Sequence, residues 1–307
     1  MAFNLYLAGS YSTWVDEELQ KMGANRLASQ LNDRNLIERW LTYIKEVERR
    51  KLFVDSGAFS AHTKGREVNV DEYIEYLNER QGLFEVIAQV DKIPGEFGKK
   101  KTRKELEEAP ELSWENYLYM RERVIDYEKL TPIFHQGEDF KHLHRMLEWV
   151  DDNGEHIPYI GISPANDLNT KEKVKWFENV FRIIRDSSNP KVKTHAFGMT
   201  SLKVLEQYPF YSADSTSWLM TSANGSIMTS NGLILISDVQ EKNPKHINHM
   251  SKDVQEKIKQ EVEGWGYDLE EAKSNYKIRG LINASYLMNW AKNYKFIGKT
   301  TYQRRLF

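Results

Sequence analysis

Three aspartates and one glutamine carry the chemistry this sequence offers. Asp55 closes the run Leu52-Phe53-Val54, Asp91 directly follows Phe84–Val90, Asp214 follows Phe210–Ala213, and Gln136 lies just beyond Leu130–Phe134. Each polar group stands where a short β-type run ends, and Gly57, Gly137 and Gly198 stand close by. Two carboxylates in one pocket suit displacement at an anomeric carbon, where one attacks as nucleophile and the other moves protons. Negative charge beside the sugar stabilises the oxocarbenium character of that transition state. A third carboxylate with an amide suits a purine, since the carboxylate accepts from ring and amino N–H groups while the amide donates to a carbonyl oxygen. The plainer reading is that each aspartate caps the helix that follows it. For one aspartate alone that explanation suffices, but four such groups favour a shared pocket.

These residues need strands to deliver them to one face. β-type runs are expected near Asn4–Ala8, Leu52–Asp55, Phe84–Val90, Leu130–Phe134, Pro158–Ile162, Lys193–Phe197, Phe210–Ala213 and Leu233–Ser237. Apolar residues at helical spacing lie between them: Val70, Tyr73, Ile74 and Leu77; Tyr117, Met120, Val124 and Tyr127; Val174, Phe177, Val180 and Phe181. About eight strands alternating with helices predict an α/β fold, a (β/α)8 TIM-type barrel whose functional groups cluster at the C-terminal strand ends. A doubly wound open sheet competes less well, because Ala8-Gly9-Ser10-Tyr11 is not a GxGxxG phosphate loop. Residues 1–307 are expected to form one domain, with a barrel core to about 240 and a helical elaboration over 241–307. In that last part Ser251 opens a helix, Gly264-Trp265-Gly266 breaks it, Asp268 caps the next, and a final helix spans about Leu281–Asn293.

Composition narrows the classes further. The 13 Phe, 16 Tyr and 8 Trp supply ample apolar surface for a folded core. A net charge of −2 gives no global field for nucleic acid, so such a partner must be held by local basic loops. The absence of cysteine excludes disulfides, thiolate nucleophiles and cysteine-based zinc or iron–sulfur sites. No apolar run is long enough to span a bilayer, and the start MAFNLYLAGS lacks a signal-like pattern, so a cytoplasmic protein with no membrane partner is the expectation.

At these residues the chain resembles the queuine/archaeosine tRNA-guanine transglycosylase superfamily, most of all its shorter phage-encoded members that act as DNA 7-deazaguanine transglycosylases. Val54-Asp55-Ser56-Gly57-Ala58-Phe59 is similar to the family's DSGGF/DSGAF motif, Phe134-His135-Gln136-Gly137 to its VQGG segment, and His195-Ala196-Phe197-Gly198-Met199 to its HLxGxG strand. Phe210 to Trp218 is similar to its nucleophile segment. The resemblance implies Asp214 as nucleophile, Asp55 as general acid/base, and Asp91, Gln136, Gly161, Ser56, Gly57 and His195 around the base. It implies exchange of guanine in DNA for a 7-deazaguanine base through an aspartyl-glycosyl intermediate, with no cofactor. A cytoplasmic location follows, in the host if the chain is phage-encoded, and a homodimer is compatible with it. Two departures stand out: the Cys3His zinc site of the tRNA enzymes has no counterpart here, which bears on the polynucleotide, and Gly161-Ile162-Ser163-Pro164 replaces a glycine-rich stretch, which bears on the groups around the 7-substituent of the base. The first favours DNA, with tRNA as the alternative. A non-catalytic barrel that binds modified bases is a further alternative.

Other features have plainer readings beside the functional ones. Lys99, Lys100, Lys101 and Arg103 are candidate phosphate contacts, or the solvated start of a helix followed by Glu105, Glu107 and Glu108. The C-terminal tail with Lys295, Lys299, Arg304 and Arg305 is a weaker candidate. Trp218 and Tyr11 could stack on a base or belong to the core. His246 and His249 could share a helix face as a metal pair, whereas His142 and His144 could not.

Overall fold

The computed structural model describes residues 3–298 except 11, 47–50, 97, 166, 167 and 200. Its elements, in chain order, are β1 (Asn4–Ala8), α1 (Thr13–Met22), β2 (Asn25–Ser29), α2 (Arg34–Glu46), β3 (Leu52–Asp55), α3 (Ala58–Thr63) and α4 (Val70–Asn78). Next come β4 (Val86–Ala88), α5 (Arg103–Arg121), β5 (Leu130–Thr131), β6 (Ile133–His135), α6 (Phe140–Glu148), β7 (Tyr159–Ser163) and α7 (Thr170–Asp186). The chain ends through β8 (Lys193–Ala196), α8 (Leu202–Leu205), β9 (Ser212–Ser215), α9 (Ser217–Ala223), β10 (Ser226–Thr229), β11 (Gly232–Leu235), α10 (Lys252–Gly264), α11 (Leu269–Ser274) and α12 (Tyr276–Lys292).

The chain forms two compact units. One is chiefly Arg26–Asp214, and the other joins the residues up to Asn25 to Ser215–Tyr294. In the first unit, neighbouring strands pair in chain order and in parallel: β2 with β3, β3 with β4, β4 with β5, then β6 with β7, β7 with β8 and β8 with β9. β5 and β6 are a single path broken at Pro132, which has no N–H to give to a ladder. The Pro132 carbonyl still accepts the Gly161 N–H at 2.8 Å, so the path continues from one neighbour to the next. The large sheet has nine strands in all, and the fold is α/β, a TIM-type barrel with a helical C-terminal part.

Buried faces follow the helical stripes. Tyr73, Ile74 and Leu77 of α4 are buried, as are Tyr117 and Met120 of α5 and Phe177, Val180 and Phe181 of α7. The Tyr73 hydroxyl donates to the Ala88 carbonyl at 3.2 Å and also reaches the Val54 carbonyl at 3.4 Å, tying α4 to both β3 and β4. Two strand assignments differ from expectation. β2, with the sequence NRLAS, has no apolar alternation to mark it, yet it pairs with β3 from Arg26 to Ser29. The run near Leu233 is no barrel strand: β11 pairs antiparallel with β10 in a separate two-stranded sheet, turned at Ser230-Asn231.

The second unit is built around α12. Its buried Asn283 donates to the Trp218 and Ser226 carbonyls and accepts the Met228 N–H at 2.6 Å, binding α9 and β10 to α12. Arg279, also buried, gives its guanidinium N–H groups to the carbonyls of Ser222, Ala272 and Lys273. These are carbonyls near the ends of α9 and α11, where helices leave acceptors for side chains to use. Asp268 caps α11 through the Glu270 N–H at 2.8 Å, and α10 ends at Gly264, as the sequence leads one to expect.

Candidate active site

Asp55 is the last residue of β3, and the chain turns at once into α3. Gly57 makes that turn with φ +82°, where a Cβ would meet Ser29 Oγ at 2.5 Å and Leu31 Cβ at 2.7 Å. Only glycine fits this approach. The Gly57 N–H thereby reaches Asp55 Oδ2 at 3.1 Å, and Ser56, buried, accepts the Ala58 N–H on its hydroxyl. Ser56 stands one residue before Gly57, the N-cap of α3. Burial, with the Asp91 and Asp214 carboxylates nearby, pushes the Asp55 carboxyl up to about 7, although the Gly57 bond opposes the rise. A carboxyl that shares its proton evenly near neutral pH is suited to acid/base work.

Asp91 lies three residues beyond the end of β4 and caps no helix. Its Oδ1 accepts from Gln89 Nε2 at 2.6 Å, and its Oδ2 lies 3.1 Å from His135 Nε2 at the end of β6. α5 pins the backbone on both sides of it, with Asn116 donating to the Val90 carbonyl and Ser113 accepting the Lys92 N–H. Burial by itself would lower the His135 pKa, but the adjacent Asp91 carboxylate lifts it to about 9, with help from Glu138 and against Lys101. Glu138 is raised to about 7 by burial, and its Oε2 is buried with no hydrogen-bond partner. Gln136 follows β6. Its side-chain oxygen accepts the Ala165 N–H at 3.1 Å, so its amide N–H2 is the group left to donate.

Asp214 lies in β9 and is nearly buried. Its Oδ1 takes the Gly198 N–H at 2.8 Å and lies 3.2 Å from His195 Nε2; among the described residues no hydrogen bond reaches Oδ2. His195, in β8, is fully buried, and burial lowers its pKa below the ordinary histidine value. A neutral ring offers one donor and one acceptor, and a carboxylate can only accept. Nε2 therefore donates to Asp214, Nδ1 accepts from the Ser212 hydroxyl, and the Tyr159 hydroxyl donates to Ser212. Phe53 and Phe197 meet the His195 ring edge-on at 4.6 and 4.5 Å. Gly161, in β7, makes room for this packing, because a Cβ there would meet Phe197 Cε2 at 2.5 Å.

Asp55, Asp91, Asp214, Gln136, Ser56, Gly57, Gly161 and His195 thus lie in, or a few residues beyond, the parallel strands β3, β4, β6, β7, β8 and β9. Sequence reasoning passed over Gln89, Glu138, Ser212 and Tyr159, which hold or surround the aspartates. It also passed over Phe59, which is 56% exposed on the first turn of α3. The DSGAF run was the available signal for Phe59. For the others there was none, since their roles arise from contacts between strands. A pocket of about 250 Å3 opens beside Asp91, lined also by His62, Arg66, Lys92, Ile93 and Leu112; neither Asp55 nor Asp214 lines it.

The remaining candidates fall out differently. Lys99 pairs with Glu96 at 2.6 Å and Arg103 with Glu107 at 2.6 Å, while Thr102 and Glu105 form a capping box. That is the solvated start of α5. Lys100 and Lys101 are exposed and join no ion pair among the described residues. Trp218 is fully buried and donates its indole N–H to the Ala8 carbonyl at 2.8 Å, so it is core rather than a stacking platform. Tyr11, Lys299, Arg304 and Arg305 lie outside the described residues. His246 is buried and accepts the Asn248 N–H, whereas His249 donates to the Glu241 carbonyl. No described helix is long and apolar enough to cross a membrane.

Neither the protein-family models nor the curated proteins include a match to the chain.

Proposed function

We propose that this protein is a pentosyltransferase that exchanges guanine in DNA for a 7-deazaguanine base. The observation that carries the reading is the grouping of three carboxylates at parallel strand ends, one of which, Asp55, is pushed to about 7 by burial and by the other two. Asp214 is the nucleophile. Its Oδ1 is occupied by the Gly198 and His195 N–H groups, which leaves Oδ2 to attack C1′. The C1′–N9 bond breaks, guanine leaves with a proton supplied by Asp55, and an aspartyl ester of the sugar remains. Asp55 then takes the N9 proton of the incoming base, N9 attacks C1′, and the ester bond breaks to restore Asp214. Asp91 accepts from the N–H edge of the base, and the Gln136 amide donates to its carbonyl. The target nucleotide must leave the stack to reach such a site, so a flipped or single-stranded guanine is the substrate. The chemistry needs no redox or phosphoryl step and therefore no cofactor.

Incorporation of labelled guanine into DNA and into tRNA by the purified protein tests the reading directly. Incorporation into DNA alone is expected. Incorporation into tRNA alone makes the tRNA enzyme the correct reading, and binding without exchange makes it a base-binding barrel. Two variants separate the catalytic aspartates. Asp214→Asn should give neither a covalent polynucleotide adduct on a denaturing gel nor exchange. Asp55→Asn keeps the nucleophile but loses the group that protonates the leaving guanine and deprotonates the incoming base, so an adduct should form slowly and then stall. Normal exchange by Asp55→Asn would remove Asp55 from the acid/base role.

A further inference from the structure

We infer that Gln89 and His135 form a clamp that fixes the Asp91 carboxylate for its ligand, so that His135 is a positioning residue for base recognition. The role rests on reading Asp91 as the acceptor of the base. Each carboxylate oxygen has two lone pairs. Gln89 Nε2 occupies one on Oδ1 and His135 Nε2 one on Oδ2, so one lone pair on each oxygen remains to accept from a ligand. That arrangement matches two adjacent N–H donors, as on an aminopyrimidinone edge, better than a single one. Gln89 is fully buried and the Asn116 and Ser113 contacts hold the neighbouring backbone, so the carboxylate cannot swing to follow a poorer ligand.

The groups facing His135 are Asp91 beyond β4, Glu138 in the turn after β6, and Lys101 ahead of α5. Asp91 and Glu138 outweigh burial and Lys101, and the His135 pKa rises to about 9. At neutral pH the clamp therefore includes a charge-assisted bond, stronger than a neutral one. Above about pH 9 the ring loses that charge, and base binding should weaken.

Two measurements on the full chain test this. The first is a 15N imidazole titration, which needs no enzymatic activity. His135 should titrate near 9, and in Asp91→Asn its pKa should fall by about two units. An unchanged His135 titration in Asp91→Asn overturns the clamp. The second is exchange kinetics with guanine and with hypoxanthine, which lacks the 2-amino donors. His135→Phe should raise the KM for guanine about tenfold and leave kcat within about twofold. It should also narrow the preference for guanine over hypoxanthine. His135→Gln keeps a donor without the charge, so it should recover most of the affinity at pH 7 and lose the alkaline limb near pH 9. A fall in kcat with KM unchanged in His135→Phe overturns the positioning role. If the unaltered protein exchanges no base, the functional reading fails, and the titration alone decides whether the clamp exists.

Discussion

Asp55 illustrates how a buried carboxyl is held at a cost to the fold. Its carboxyl sits near 3.8 when free and near 7 in the folded chain, so the folded state favours the protonated form. The stability this confers is complete below about pH 3.8 and is lost as pH rises through 7. Asp55→Asn removes that titration while its side-chain oxygen can still accept the Gly57 N–H. The melting temperature of the unaltered protein should therefore fall relative to the variant between about pH 4 and pH 7, by roughly 2–5 °C, and then level off. Parallel melting curves that never diverge would show that Asp55 titrates normally. Gly161 makes a different demand. A methyl group there drives into the Phe197 ring, which packs on His195, so Gly161→Ala should cost about 1–3 kcal/mol in denaturant unfolding. It should also disturb the His195–Asp214 bond, which an imidazole chemical shift would report.

At the scale of elements, the segment between β4 and α5 divides into paired and unpaired cations. Lys99 and Arg103 are neutralised by Glu96 and Glu107 on a solvated surface, where such pairs contribute little to stability. Lys100 and Lys101 have no such partners among the described residues. If the segment touches phosphates, replacing Lys100 and Lys101 with Ala should reduce the slope of log K against log salt by about one each, and Arg103→Gln should reduce it by less. An unchanged slope in the double variant assigns the whole segment to solvent.

The elements that sequence made legible were those with a strong local period. The α4 and α7 stripes and the apolar runs ending in Asp55 and Asp214 are read directly from residue type. β2 was hidden because Asn25 and Arg26 look like loop residues. Arg26 is nonetheless buried, lying 5.2 Å from the Trp40 ring, a partner 14 positions away that no local window connects to it. Leu233–Ser237 read as a barrel strand because a buried hairpin has the same composition as a buried parallel strand. The aspartates were visible as residues at strand ends, but Gln89, Ser212 and Tyr159 acquire their roles only when strands distant in sequence lie side by side.

At the scale of the whole molecule, the sequence places the end of the barrel core near residue 240. The packing makes the first 25 residues dependent on the helices beyond that point. Phe3 meets Trp290 edge-on at 5.3 Å and Tyr294 at a tilt at 4.6 Å, and the Tyr267 hydroxyl reaches the Met22 sulfur at 3.6 Å. α12 packs on β1, α1, α9 and β10, and buries Ile278, Leu281, Ile282 and Leu287 among others. Burying four such side chains is worth about 6–12 kcal/mol, comparable to the net stability of an entire domain, roughly 5–15 kcal/mol. A fragment of residues 1–240 also loses Asn283 and Arg279, which removes the side-chain acceptor of the Met228 N–H and the guanidinium donor to the Ser222 carbonyl. It should therefore fail to give a cooperative thermal transition, whereas a fragment of residues 1–294 keeps every contact just named and should melt cooperatively. Circular dichroism at near- and far-ultraviolet wavelengths distinguishes the two outcomes. A 1–240 fragment that melted cooperatively within a few degrees of the full chain would make the C-terminal helices an appendage rather than part of the structure that holds β1 and α1.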